Sequence, residues 1–304
     1  MNSRLAIIIP AYKSRFLQQA LSSLATQTCK DFVVYIGDDA SNENLWSIVE
    51  QYNSLITIEY RRFEENLGGK SLTKQWERCI NLSANEPYIW VFSDDDEVTD
   101  NAVRCFYDEI TRNEIYDVYR FNLNIINEKS EIVKSLDAYP SVQTDFEFFH
   151  QRVRGSIYSC ITQFIFTREI FDLYKFVDFP VAWSSDDATI IMFSYGKGIK
   201  NINGGFLNWR LVEGSNITSS TRYEKEKVKA EFLYAGWFNH YFKGRASKKE
   251  LKNITLTYFN KRLSALPFKY YISWNRVYFI CKITGIIHGT KVILKNIYSK
   301  LREN

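Results

Sequence analysis

Cysteine, histidine and glycine-rich motifs are all scarce in this sequence of 304 residues, and each scarcity removes a class of function. Five cysteines, Cys29, Cys79, Cys105, Cys160 and Cys281, are scattered with no C-x-x-C pair. A disulfide framework and a thiolate zinc site are therefore not expected, and a reducing compartment fits the chain best. Three isolated histidines, His150, His240 and His288, argue against a histidine-rich metal centre. The first strand-to-helix turn lacks G-x-G-x-x-G, and G-x-x-x-x-G-K-[ST] occurs nowhere, which disfavours a dinucleotide fold and a P-loop. Long apolar runs are missing too. Leu5–Ala11 (LAIIIPA) is closed by Pro10 and Lys13, and Val277–Ile287 is cut by Lys282. Neither has the form of a signal peptide or a spanning helix, so a soluble or peripheral chain is expected in the cytoplasm.

What is present reads as a globular protein, with 45% hydrophobic and 16% aromatic residues and length for one large or two modest domains. The net charge of +4 hides an asymmetry. Residues 1–221 hold 21 Lys+Arg against 30 Asp+Glu, whereas residues 222–304 hold 18 against 5. Two readings of the basic region stand side by side: an anionic partner, or a helical cap docked on an acidic body. No nucleic-acid-binding motif accompanies the charge, and nucleic acid is not expected as a partner.

Periodicity separates the elements. Leu5–Pro10, Phe32–Gly37 and Tyr88–Phe92 are short apolar runs of strands buried on both faces, and Ile56–Arg62 is a further strand. Leu17, Ala20, Leu21 and Leu24 recur at helical spacing; Leu45, Ile48 and Val49, and residues 71–82, supply the next helices. This alternation predicts an α/β fold, a doubly wound and mostly parallel sheet. Beyond it, Asp117–Ile126 and Glu131–Ser135 flank Asn127-Glu128-Lys129-Ser130 as a hairpin, and Thr144 with Glu147 forms a capping box. After Arg222 the pattern is mainly helical. The expected division is a catalytic domain over 1–221 and a basic, mainly helical region over 222–304.

Ligands of open α/β sheets bind at the carboxyl ends of strands. Here those ends carry Pro10-Ala11-Tyr12, Asp38-Asp39 and Asp94-Asp95-Asp96-Glu97. Carboxylates in place of glycines point to a hard divalent cation, not a backbone nest, as the group that neutralises a phosphate-bearing ligand. Taken singly, Asp38-Asp39 also suits a helix cap and turn, and Asp94–Glu97 a solvated loop.

In their order and spacing these motifs resemble the inverting family 2 glycosyltransferases of the GT-A fold, over roughly residues 4–215. Ile7–Tyr12 (IIIPAY) is similar to that family's opening strand, Asp38-Asp39-Ala40-Ser41 to D-D-G-S, Asn66-Leu67-Gly68 to N-x-G, and Ser93-Asp94-Asp95-Asp96 to D-x-D-D with Ser93 in place of the first Asp. The resemblance implies a nucleotide-diphosphate donor, UDP-linked, with Asp39 on the base, Asp95 on the ribose and Asp96 on Mn2+ or Mg2+. Pro10, Tyr12 and Asn66 would line the donor site; Lys70 and Lys74 either reach the diphosphate or are ordinary surface lysines, the second being favoured because Thr73-Lys74 replaces the family's Arg-Asn. Ser184-Ser185-Asp186-Asp187 resembles the Glu-Asp motif that supplies the base, which would fall to Asp187 with Asp186 in the Glu position. Trp209-Arg210 with Ser215 resembles a Y-R-x-H-x-x-S pattern near the diphosphate, with Val212 where the histidine belongs; Arg210 would contact phosphate. Trp183 and Trp209 could offer a sugar platform.

The expected function is metal-assisted transfer of a sugar to a hydroxyl of a glycan or lipid-linked acceptor, in bacterial surface-glycan synthesis. A non-catalytic sugar-nucleotide or glycan binder on the same fold is the alternative from another class. A metal-dependent nucleotidyltransferase fits less well, because Ala11–Phe16 contains no glycine. For the tail, segments such as Tyr270–Arg276 (YYISWNR) suggest a basic aromatic face that holds the enzyme on an anionic leaflet, the inner face of the cytoplasmic membrane.

Overall fold

The computed structural model describes residues 4–111, 115–212, 222–265, 280–282 and 289. The expected domain boundary at 221 falls in a stretch outside these residues, as do Ser215 and Tyr270–Arg276.

The first half alternates as its periodicity requires: β1 (Leu5–Ala11), α1 (Leu17–Ala25), β2 (Phe32–Asp38), the short α2 (Trp46–Val49), β3 (Ile58–Arg62), α3 (Leu72–Ile80) and β4 (Tyr88–Val91). It continues through β5 (Glu97–Val98), α4 (Ala102–Ile110), β6 (Val118–Ile126), β7 (Ile132–Ser135), β8 (Val142–Gln143), α5 (Asp145–Arg154), β9 (Phe164–Thr167), α6 (Arg168–Tyr174), α7 (Ser185–Phe193) and β10 (Ile199–Arg210). Two long helices follow, α8 (Glu224–Tyr241) and α9 (Lys248–Ala265).

The main strand order is β3-β2-β1-β4-β9-β6-β10-β5, with β7 added to β6 and β8 to β10. Strands β1 to β4 are mutually parallel, so their carboxyl ends share one edge of the sheet. The parallel order breaks at β9, which runs antiparallel between β4 and β6. This places the start of β9, and residues 160–163 before it, beside the carboxyl end of β4. The hairpin of β6 and β7 and the parallel sheet are both as the sequence predicts.

Strand β1 shows why an unbroken apolar run is needed. Leu5, Ile7 and Ile9 enter the core on the face of α1 and α4, while Ala6 and Ile8 enter the core on the face of α3, α5 and α7. Side chains alternate across a strand, so both parities must be apolar when both faces are covered. The capping box of α5 forms as its sequence requires: the Glu147 N–H donates to Thr144 Oγ1 (3.2 Å) and the Thr144 N–H to the Glu147 carboxylate (2.9 Å).

The described C-terminal helices belong to the second of these cores. Ala230, Tyr234 and Phe238 recur every four residues along α8 and are buried against the body, joined by Tyr258 and Phe259 of α9. The Phe149 ring of α5 lies 4.9 Å from that of Phe238 and 4.6 Å from that of Phe242, centroid to centroid. Among the described residues no helix is long and apolar enough to cross a membrane. Truncation of the fully buried Phe238 to alanine should lower unfolding free energy by about 3–5 kcal/mol. Chemical denaturation checks this, and a loss below about 1 kcal/mol would show that α8 is only loosely attached.

Candidate active site

The parallel strands bring their terminal residues together through backbone and carboxylate. Pro10 lies in β1 opposite Gly37. Just beyond it the Tyr12 and Lys13 N–H groups both donate to Asp94 Oδ2, each at 3.0 Å, which ties the end of β1 to the end of β4. The Asp39 N–H donates to the Ala11 carbonyl (2.9 Å) and ties in β2. Tyr12 leaves its side chain partly exposed at this edge.

The two aspartates after β2 have separate partners. Asp38 is buried and accepts from the Ser41 N–H (2.8 Å), the Tyr60 hydroxyl (2.6 Å) and Arg62 (3.0 Å). Its carboxylate shapes the turn and faces inward. Ala40 stands where D-D-G-S has glycine, and it still adopts φ 54°, the left-handed region that an L residue enters at a cost of about 1–2 kcal/mol. Asp39 accepts from the Leu67 N–H (2.7 Å) and Arg78 (2.5 Å) on Oδ1, and from the Gly68 N–H (2.8 Å) on Oδ2. A carboxylate offers about four lone-pair positions, so Oδ2 keeps one for an incoming donor. Gly68 is required by the close approach, because a Cβ there would sit 2.6 Å from Asp39 Oδ2. Asn66 closes the same turn, its Oδ1 accepting from the Gly69 N–H (2.6 Å).

The two lysines that could reach a diphosphate occupy the surface instead. Lys70 pairs with Glu65 at 2.7 Å and Lys74 with Glu77 at 2.8 Å, both largely solvated. The cation of this helix that reaches the site is Arg78, one turn further on. Its guanidinium also lies 3.8 Å from the Phe63 ring centroid. Nothing in the α3 sequence singles out Arg78 over its neighbours.

After β4 three carboxylates crowd together. Asp94 is engaged by the two amides of β1. Burial raises the Asp96 carboxyl to about 6, opposed by the Arg210 N–H, which donates to Oδ1 at 2.9 Å, and by the Thr162 and Ser93 hydroxyls. Ser93, the departure from D-x-D-D, thus acts with Thr162, 2.9 Å away, as a hydroxyl pair on Asp96. Asp95 is raised well above the ordinary carboxylate range by burial, then by the charges of Asp96 and Asp94. Among the described residues the charges of Lys13 and Arg210 oppose that shift, rather than a hydrogen bond. Asp95 therefore retains the most acceptor capacity of the three.

Arg210 departs from its expected place on phosphate. Its side chain is fully buried behind the acidic turn. Nε donates to the Asp95 carbonyl (2.8 Å), NH1 to the Asn127 carbonyl (2.5 Å), and NH2 to Glu97 and the Ser130 hydroxyl. The guanidinium also lies over Phe16. Being the last residue of β10, Arg210 is drawn into the turn by its own backbone bond to Asp96, and its geometry supports the site instead of lining it.

The expected base also changes. Asp187 is 2% exposed and is held by a two-point ion pair with Arg152 of α5, at 2.7 and 2.9 Å. Both oxygens face a permanent cation, an arrangement that positions α7 and leaves the carboxylate poorly placed to take a proton. Asp186 is half-buried, and burial followed by the charge of Asp187 raises its carboxyl to about 7. It accepts from the Asp187 N–H (2.9 Å). Ser184 occupies the N-cap position of α7 without a side-chain capping bond, and Asp186 lies in the first turn. Arg152 had no sequence signal, since its pairing joins residues 35 apart.

Burial pushes the Cys160 thiol, in the segment before β9, well up, and the charges of Asp96 and Asp186 push it further. Among the described residues no three His, Cys, Asp or Glu side chains are grouped to hold a metal by themselves. A cation here would need oxygens from its ligand, as magnesium-type sites with phosphate substrates do. For the assignment of Arg210 to support, Arg210→Met should destabilise the fold by about 3–5 kcal/mol, measured by denaturation, because Glu97 and Asp96 lose a buried partner. A phosphate-binding arginine would instead weaken UDP binding and leave stability unchanged.

Comparison with known proteins identifies the family and the fold. The glycosyl transferase family 2 model matches residues 6–174. Chondroitin synthase of Escherichia coli is 27% identical over 183 residues, covering 53% of this chain and 26% of that protein. The poly(ribitol-phosphate) beta-N-acetylglucosaminyltransferase TarS of Staphylococcus aureus is 30% identical over 95 residues, covering 30% and 16% respectively. The chain thus spans about a quarter or less of the length of these relatives. Among solved structures, S. aureus TarS 1–349 in complex with UDP-GlcNAc superposes with a TM-score of 0.64 at 15% identity, covering 97% of this chain and 92% of that one. At such identity the likeness speaks for the fold. With the family model spanning more than half its length, this chain belongs to glycosyl transferase family 2 and has the GT-A fold of a glycosyltransferase.

Proposed function

We propose that the chain transfers a sugar, with inversion, from a UDP-linked donor to a hydroxyl of a glycan or lipid-linked saccharide, and that Asp186 is the base. The observation that carries this reading is Asp186 itself. It is a half-buried carboxyl that lies outside the two-point Arg152 clamp on Asp187 and accepts from the Asp187 N–H (2.9 Å), and burial followed by the charge of Asp187 raises it to about 7. A base with a pKa near the working pH combines an adequate ionised fraction with enough basicity. In the proposed step the acceptor oxygen attacks the anomeric carbon while its proton passes to Asp186. The bond from that carbon to the UDP oxygen breaks on the opposite side, and the electron pair leaves with the diphosphate.

Donor recognition would rest on Asp39, whose remaining Oδ2 lone pair suits the ring N–H of uracil. The UDP-GlcNAc complex of the structurally similar TarS supports a UDP-linked donor. The names of the relatives, a chondroitin synthase and a poly(ribitol-phosphate) beta-N-acetylglucosaminyltransferase, support a polymeric acceptor. Asp95 and Asp96 fit Mn2+ or Mg2+, because burial and then the charges of Asp96 and Asp94 raise the Asp95 carboxyl, and a cation would offset both. Such an ion supplies charge stabilisation for the departing diphosphate. The membrane role of the basic region is a further proposal, carried by the charge of residues 222–304. The inward packing of the α8 and α9 aromatics favours the cap for the described part. Sedimentation with anionic vesicles, bound at low salt and released at high salt, checks the membrane role, and no binding to either anionic or neutral vesicles rejects it.

Asp186→Asn should retain UDP affinity and lose transfer by about 10²–10⁴-fold, because an amide cannot accept the proton. Wild-type kcat, measured with Mg2+ or Mn2+ and abolished by chelation, should fall as pH drops through about 7, the value to which burial and Asp187 raise this carboxyl. The sign follows from the role: the base works ionised, so protonation stops it. Asp187→Asn should act chiefly on stability, through loss of the Arg152 clamp. A larger catalytic loss at Asp187, with folding intact, would return the base to that residue.

A further inference from the structure

The loop that delivers Asp186 is strained, and its anchor lies on the C-terminal helices. Val181, Ala182 and Ser184 have φ of 53°, 53° and 62°, three of the non-glycine residues in the left-handed region. Each such residue costs on the order of 1–3 kcal/mol and persists only where its surroundings hold it. Backbone bonds close the loop, the Ala182 N–H donating to the Phe179 carbonyl (2.9 Å) and the Trp183 N–H to the Pro180 carbonyl (3.1 Å), and side chains add to them. The Ser185 hydroxyl accepts from the Phe179 N–H (2.9 Å), a contact within the loop. Trp183, at the centre of the strained run, is held from outside by α8. Its Nε1–H donates to Glu231 at 2.5 Å, and the Lys227 ammonium lies 4.7 Å from its ring centroid. Lys227 and Glu231 are four residues apart on one face of the helix, so α8 grips the indole by its edge and by its face.

Glu231 is an expensive residue for a merely structural contact. It is 1% exposed, accepts from the Tyr258 hydroxyl of α9 on its other oxygen, and has Arg262 at 3.7 Å. Burial raises its carboxyl. An apolar side chain of similar volume would pack there at less cost. What the carboxylate adds is a directed bond to Trp183, three residues before Asp186.

We propose that Glu231 and Lys227 are positioning residues which, through Trp183, hold the strained 181–184 loop and so aim Asp186 at the acceptor hydroxyl. The C-terminal helices then set the rate of transfer without touching the donor. This rests on the reading of Asp186 as the base. It assigns the basic region a role in the chemistry that is independent of any membrane.

The test compares Trp183→Phe, Glu231→Ala and Glu231→Gln with Asp186→Asn in the full chain, reading kcat, donor KM, UDP affinity, thermal unfolding and the pH profile. Trp183→Phe and Glu231→Ala should lower kcat by up to about 10²-fold, as small misplacements of a reacting group do, with donor KM and UDP affinity within about twofold. Their acid limb should move below about 7, because a loosened loop admits water to Asp186. Glu231→Gln keeps an acceptor for the indole N–H and should recover most of the rate. Trp183→Phe retains the ring and guards against an unfolded alanine variant. Wild-type kcat and an unmoved acid limb in Trp183→Phe and Glu231→Ala, with Asp186→Asn inactive, would overturn the positioning role alone. Full transfer by Asp186→Asn would overturn the base reading itself.

Discussion

The buried guanidinium of Arg210 is the contact on which the geometry of the acidic edge depends. It links the last residue of β10 to the turn after β4 through the Asp95 carbonyl and Glu97, and to the β6–β7 hairpin through Asn127 and Ser130. The backbone N–H of the same residue holds Asp96. A cation inside a low-dielectric turn stabilises carboxylates that would otherwise repel one another, and its planar donors define their directions. The half of the sheet that runs β1 to β4 and the half that contains β6 and β10 are thereby joined at the point where a ligand would sit.

The protein divides its acidic residues between structure and chemistry. Asp38 and Asp187 have both oxygens engaged by a backbone amide, a hydroxyl or arginines, and Asp94 has Oδ2 engaged by two amides. Asp39, although buried, keeps a lone pair on Oδ2, and Asp95 and Asp186 are half-buried with acceptor capacity left. In each adjacent pair one carboxylate anchors the turn more fully than its neighbour. Such a division explains why paired aspartates suit strand ends here: the first bond network makes the second carboxylate's position reproducible.

The second half follows the same logic at longer range. The antiparallel β9 brings Thr162 and Cys160 to the end of β4, and α5 brings Arg152 to Asp187. Helices α8 and α9 complete the core on that side of the sheet and reach the loop before α7 through Trp183. The surroundings of Asp186 and Asp187 are thus built from elements far apart in sequence, whereas Asp38, Asp39 and Asp94–Asp96 come from the ends of the parallel strands.

Much of the donor side was legible in the linear sequence, because its determinants are local. Apolar runs on both strand parities demand a sheet covered on both faces, and the residues that end those runs must fall on one edge when the strands are parallel. Asp39, Asp95 and Asp96 fall just past such strand ends, whereas Asn66 came from the motif resemblance. The capping box of Thr144 and Glu147 is local too, its partners being three residues apart. Arg78, Arg152, Arg210 and Glu231 were not legible in their roles, since a lone arginine or glutamate on a helix or strand looks the same whether solvated or buried. The choice between Asp186 and Asp187 depended on Arg152, 35 residues away, and the place of Trp183 on Glu231, 48 residues away. Sequence by itself determined the alternation of strands and helices, the sheet edge and the acidic motifs, through periodicity and near-neighbour chemistry. Tertiary structure alone decided which carboxylates are clamped and which remain able to accept a proton or a ligand, because desolvation and ion pairing are properties of distance in space.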